Sequence, residues 1–146
     1  MKRISVQAED FDPAAVQAEL EALLPGAIAS FTGLVRGDGG VTSMTLEHYP
    51  GMTEAALESL ADDALARWPL DGLALIHRFG KLAVGARIVH VACASPHRAA
   101  ALEACAFLID QLKTNAPFWK RESKADGTET WVETKAGDDA AAARWG

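Results

Sequence analysis

Two cysteines, Cys93 and Cys105, are too few for a disulfide framework, so stability has to come from a hydrophobic core. No apolar run approaches the ~20 residues of a membrane span. The N-terminal Met1-Lys2-Arg3-Ile4-Ser5-Val6 leads into alternating residues, without the apolar block of a signal peptide. A cytoplasmic protein without membrane contact is the expectation. Basic charge is scarce: 14 Lys and Arg against 20 Asp and Glu leave a formal net charge of −6. That balance argues against general nucleic-acid binding, which rests on neutralising phosphates over a broad surface. Metal-ligand patterns are missing too. The cysteines are not at metal spacing and no His-x-x-x-His occurs. Glu47-His48 and His77-Arg78 are adjacent pairs, whose side chains point to opposite faces of a strand. No metal or cofactor is expected. No serine sits in a nucleophile elbow, and the glycines of Gly37-Asp38-Gly39-Gly40 match no nucleotide-binding fingerprint, because no helix follows them.

What is present is ordinary globular material. The 146 residues are 49% hydrophobic and 23% charged, which fits one domain over 1–146. Arg3 to Gln7 alternates as a short strand. Asp12 and Pro13 open a helix carrying Val16, Leu20 and Leu23, and Pro25-Gly26 closes it. Ala27 to Val35 and Val41 to His48 are further strands, with Gly33 marking a bulge or close backbone approach in the first. Thr53 caps a helix whose buried stripe is Leu57, Leu60, Ala64, Leu65 and Trp68. Leu73 to Phe79 is a strand, Gly80-Lys81-Leu82 a turn, and Arg87 to Ala94 a near-continuous apolar strand, hence central. Ser95 and Pro96 open the last long helix, in which Cys105 shares a stripe with Leu102, Ile109 and Leu112. Both cysteines read as core fillers. Pro117 stops that helix. Phe118 to Ser123 and Thr128 to Thr134 form a hairpin, and the alanine-rich tail 135–146 ends on a tryptophan that should dock. Strands and helices mix without strict alternation, so the fold class is α+β with a mixed or antiparallel sheet.

Positive charge is concentrated against this acidic background. Lys113, Lys120, Arg121 and Lys124 fall within twelve residues, with Glu122 the only acid among them. Phe118 and Trp119 supply aromatic walls. Arg36 stands at a strand end before the glycine loop. His97 and Arg98 lie in the first turn of the last long helix, where free amides and the helix dipole favour an anion. A solvated surface carries basic turns as well. Taken together, however, cations at element ends suit a small anionic ligand and a developing oxyanion. The residues alone lead to an enzyme or binder for an anionic small molecule, and do not name it.

Several stretches together resemble one family. They are Phe31-Thr32-Gly33-Leu34-Val35-Arg36, Leu46-Glu47-His48-Tyr49-Pro50-Gly51-Met52-Thr53, Ile76-His77-Arg78-Phe79-Gly80, Ser95-Pro96-His97-Arg98 and Leu112 through Glu122, followed by Trp131. In this order they resemble the large, catalytic subunits of molybdopterin synthase, over most of the chain from about residue 27 onward. The resemblance implies an α/β hammerhead fold and a homodimer flanked by two ubiquitin-like small subunits, a heterotetramer. Each small subunit would end in a Gly-Gly thiocarboxylate. Two sulfurs would pass to cyclic pyranopterin monophosphate, giving the dithiolene of molybdopterin, with no metal needed. It further implies Lys113 as catalytic lysine with Lys120 beside it, and Arg36, His97, Arg98 and Arg121 in the substrate pocket. Two other readings stay open: a non-catalytic module whose basic turn docks an acidic partner tail, and a phosphate-ester hydrolase using His97.

Overall fold

The computed structural model describes residues 1–132 and 136–145. In chain order these form β1 (Lys2–Gln7), α1 (Pro13–Glu21), β2 (Ala27–Leu34), a single 3-10 turn (Asp38–Gly40), β3 (Val41–His48), α2 (Met52–Arg67), β4 (Gly72–Arg78), β5 (Gly80–Ala83), β6 (Arg87–Ser95), α3 (Arg98–Asn115), β7 (Phe118–Lys124), β8 (Glu129–Trp131) and α4 (Ala136–Ala143). The strands make two sheets. One runs β1-β4-β6-β2 and the other β5-β3-β7-β8. Among the described residues only the β1–β4 pairing is parallel, so the first sheet is mixed and the second antiparallel. The expected α+β class is the one observed. Among the described residues no helix is long and apolar enough to cross a membrane.

Strand alternation divides the core of the first sheet. On β4, Leu73 and Leu75 share a cluster with Leu57 of α2 and with Ala104, Phe107 and Leu108 of α3. Ala74 and Ile76 face the other way, packing with Val16 and Leu20 of α1. β6 does the same, with Val91 and Cys93 toward α3, and Ala92 and Ala94 toward α1. Three of the sheet residues on the α1 side, Ala74, Ala92 and Ala94, are alanine, which lets that helix approach closely. β6 is central, as its apolar run implies. By the same period of two, His77 falls on the face of Leu73 and Leu75, under α3.

The second sheet has a smaller core of its own, Val35, Leu46 and Leu82. β5 is the strand that the sequence reading takes for a turn. It is only four residues long and begins at Gly80, whose φ of 97° makes the sharp corner after β4. Gly33 does mark an irregularity, since the β2–β6 register shifts between Gly33 and Leu34. A Cβ there would come within 2.8 Å of Val89 Cγ1.

Two helix starts differ from the sequence reading. α2 begins behind Gly51, not Thr53. Thr53 is fully buried, and its hydroxyl donates to the Pro117 carbonyl at 2.9 Å while accepting from Tyr49 N–H. It ties the start of α2 to the start of β7. α3 begins at Arg98 behind His97, because Ser95 finishes β6. The Ser95 hydroxyl donates to Pro69 O and accepts from His97 N–H. Leu65, expected on a buried stripe, is exposed, as are Leu23 and Leu102. β8 ends at Trp131, and the expected hairpin residues Glu133 and Thr134, with Lys135 and Gly146 of the tail, lie outside the described residues. Trp145 packs edge-on against Trp68 and Phe107, and its indole N–H donates to Asp110 at 2.7 Å.

Candidate functional site

The end of α3 and the strand β7 meet over the first sheet. Their junction is short because Pro117 forbids further helix, and Asn115 is the last helical residue. Thr53 then holds Pro117, so β7 starts at a fixed place. On β7, Phe118 and Lys120 share one face. Lys120 therefore returns toward Lys113 in the last turn of α3, and both line one pocket. β2 and β6 supply apolar wall residues, Phe31 and Val89 among them, and β4 supplies His77. The space this pocket leaves for water measures ≈ 60 Å³. That is room for a few waters, so most of any bicyclic ligand would have to rest against surface outside it.

His77 is the residue that sequence reasoning missed. It is 5% exposed, and its ring stacks on Phe118 with centroids 3.8 Å apart. Nδ1 lies 2.9 Å from the Arg78 carbonyl. A carbonyl only accepts, so Nδ1 carries the hydrogen and Nε2 the lone pair. Burial pushes the imidazole down to a pKa of about 3; the Arg78 hydrogen bond opposes that shift, and the positive charges of Lys120 and Lys113 add to it. His77 is thus neutral at physiological pH beside two lysines. A histidine in the apolar strand Leu73-Ala74-Leu75-Ile76-His77 was the available signal.

The other expected site residues lie elsewhere. Arg36 is exposed on the loop after β2, two positions past Leu34 of the pocket wall, and pairs loosely with Asp38 at 3.4 Å. His97 and Arg98 are exposed at the opposite end of α3 from Lys113. Fifteen residues at ~1.5 Å each put Arg98 roughly 22 Å from Lys113. Arg98 also stands where the helix dipole disfavours a cation, with no acid in the first turn to offset it. Arg121 neighbours Lys120 on β7 and so faces the other side of the second sheet. There it lies over the Trp131 ring at 5.4 Å, with Glu129 at 3.6 Å. Trp119 shares that side and is half exposed.

The cysteines are away from this chemistry. Both are buried in the α3-side core, and burial raises both thiols, Cys105 to about 11 and Cys93 further. A thiolate is the reactive form, so neither is a nucleophile at neutral pH. Cys93→Ala with Cys105→Ala should therefore leave any sulfur chemistry of the site intact. The expected cost is about 1–3 kcal/mol of stability from lost packing, read by denaturant unfolding. A folded double variant without activity would contradict this placement.

Residues 6–115 match the MoaE protein family. The molybdopterin synthase catalytic subunit of Brucella melitensis is 50% identical over 149 aligned positions, covering 97% of this chain and 90% of that protein. The solved molybdopterin biosynthesis MoaE protein from Burkholderia ambifaria superposes with a TM-score of 0.85 at 48% identity, covering 99% of this chain and 98% of that one. A protein–protein complex of subunits 1 and 2 of molybdopterin-converting factor from Helicobacter pylori contains a chain of the same fold. That chain has a TM-score of 0.76 at 23% identity, with 92% and 91% coverage.

Proposed function

The chain belongs to the MoaE protein family, and from that premise we propose that it works as the catalytic subunit of a molybdopterin synthase in molybdenum cofactor biosynthesis. Its reaction is sulfur transfer onto cyclic pyranopterin monophosphate. The donor is the C-terminal Gly-Gly thiocarboxylate of a ubiquitin-like small subunit, and the assembly is a homodimer carrying two such subunits. The observation that carries this reading is the convergence of Lys113 and Lys120 on one small pocket. A paired small subunit also accords with the Helicobacter pylori complex of two subunits.

The chemistry asks for cations first. A thiocarboxylate and a cyclic phosphate are both anions, and at 4 Å two unit charges repel by about 4 kcal/mol near a protein surface. Lys113 and Lys120 offset that repulsion as the donor tail enters. The thiocarboxylate sulfur then forms a bond to a pterin carbon, and the carbon–oxygen bond to the phosphate breaks. A lysine ammonium gives its proton to that leaving oxygen. Water attacks the acyl carbon of the resulting thioester and releases the small subunit as a carboxylate, with the sulfur left on the pterin. At the neighbouring carbon, a second thiocarboxylate sulfur bonds and that carbon's own oxygen leaves as water after protonation; hydrolysis of the second thioester then completes the dithiolene. Arg36, His97, Arg98 and Arg121 are assigned to substrate binding. Because Arg98 and Lys113 stand at opposite ends of α3, the site is shared between two copies of the chain about a two-fold axis.

The test is to incubate the chain with thiocarboxylated small subunit and the cyclic pterin, and to follow the dithiolene product by mass. Product should require the thiocarboxylate. Phosphate-ester opening without a donor would instead support a hydrolase.

A further inference from the structure

His77 has no role in the mechanism above, yet among the described residues it is the one buried titratable side chain in the lysine pocket. Three features fix its state. Alternation along β4 places it under α3, on the same side as Leu73 and Leu75. The Phe118 ring covers one of its faces at 3.8 Å with planes 20° apart. The Arg78 carbonyl takes the Nδ1 hydrogen. Nδ1 is the ring nitrogen nearer the backbone, so the lone pair on Nε2 lies at the outer edge of the ring. His77 lines the same pocket as Lys113 and Lys120, and the charge of both lysines is felt at its ring.

We propose that His77 is a positioning residue of the sulfur-transfer site: its neutral ring, tied at Nδ1 to Arg78 and stacked on Phe118, presents Nε2 as an uncharged hydrogen-bond acceptor that orients the lysine ammonium groups of the pocket. This rests on the function proposed above. The choice of residue has a physical reason. An aspartate or glutamate would also orient an ammonium, but its charge would cancel the field that draws in two anions. Serine or threonine would reach less far from the strand. An imidazole held neutral by burial among cations gives direction without removing charge. His77 neither donates nor accepts a proton in the reaction, since it stays neutral at the working pH.

Two variants separate this role from packing. His77→Phe keeps the ring stack and loses both nitrogens. His77→Gln loses the stack and keeps a polar atom near the Nε2 position. Positioning predicts that H77Q retains most of the turnover while H77F falls about tenfold or more. A packing role predicts the reverse order. The second readout is independent of activity: acylation of Lys113 and Lys120 by a small amine reagent, followed by mass against Lys2 and Lys81 as internal references. Removing an acceptor destabilises the ammonium, so H77F should label severalfold faster at these sites, and H77Q should not. Wild-type turnover in folded H77F, or H77Q as impaired as H77F, overturns the proposal. If neither variant folds, NMR of the imidazole nitrogens in the wild-type chain decides. An Nε2–H tautomer, or titration of His77 between about pH 5 and 8, overturns it; a non-titrating Nδ1–H ring is the expected result. Should the chain make no dithiolene at all, the labelling and NMR results still decide the place of His77 while the functional proposal fails.

Discussion

Lys113→Ala should abolish dithiolene formation and leave the fold intact. The fold survives because Lys113 is exposed in the last turn of α3, and alanine has the highest helix propensity. The change removes one favourable charge at a helix C-terminus, about 0.3–1 kcal/mol. Catalysis depends on far more. Among the described residues, Lys113 shares its pocket with Lys120. Losing it removes one of the positive charges that offset a phosphate and a thiocarboxylate, and takes away a proton donor for the leaving oxygen. Losses of about 10²–10³-fold or greater follow from that combination. Single-turnover mass detection of product, with thermal unfolding as the control, provides the check. Near-normal turnover in the folded variant removes Lys113 from the mechanism. Lys120→Ala should be strongly impaired as well.

Activity should reappear when two dead variants are mixed. Arg98→Ala and Lys113→Ala lie roughly 22 Å apart along α3, beyond the reach of one small pterin. If two copies pack so that the Arg98 end of one helix faces the Lys113 end of its mate, each mixed dimer has one doubly damaged site and one intact site. Random exchange makes half of the dimers mixed, so about a quarter of the wild-type sites return. In a site built within one chain every site stays damaged, and mixing changes nothing. Mixed dimers shown to form, by mass of differently tagged chains, but without recovered turnover, would falsify the shared site.

Most of the frame was legible because its signals are local. Asp12 accepts from Ala14 N–H and Pro13 opens α1, as that dipeptide suggests. The apolar run of β6 made it central, and Pro117 ended α3. What escaped depends on partners distant in the chain. Ser95-Pro96-His97 has the composition of a helix start, but Ser95 is claimed by Pro69 O, 26 residues away. Thr53 looks like a cap, yet its hydroxyl serves Pro117. β5 exists only because β3 is there to pair with it. At the site, the two lysines were legible as a charge cluster and their convergence was not, since it requires the α3–β7 junction. The face rule that separates Glu47 from His48 also separates Lys120 from Arg121, and it sends Arg121 to Trp131 and Glu129. His77 was weighed as a metal ligand alone, although a histidine in an apolar strand can serve as a neutral acceptor.

The most direct test of the account is the source of the sulfur. The small subunit is prepared with a heavy sulfur isotope in its C-terminal thiocarboxylate, and the chain retains Cys93 and Cys105 with natural sulfur. After incubation with the cyclic pterin, both sulfurs of the dithiolene should carry the heavy label, and the chain itself should gain no mass. Natural-abundance sulfur in the product, or a labelled persulfide on either cysteine, would contradict direct transfer at the lysine pocket.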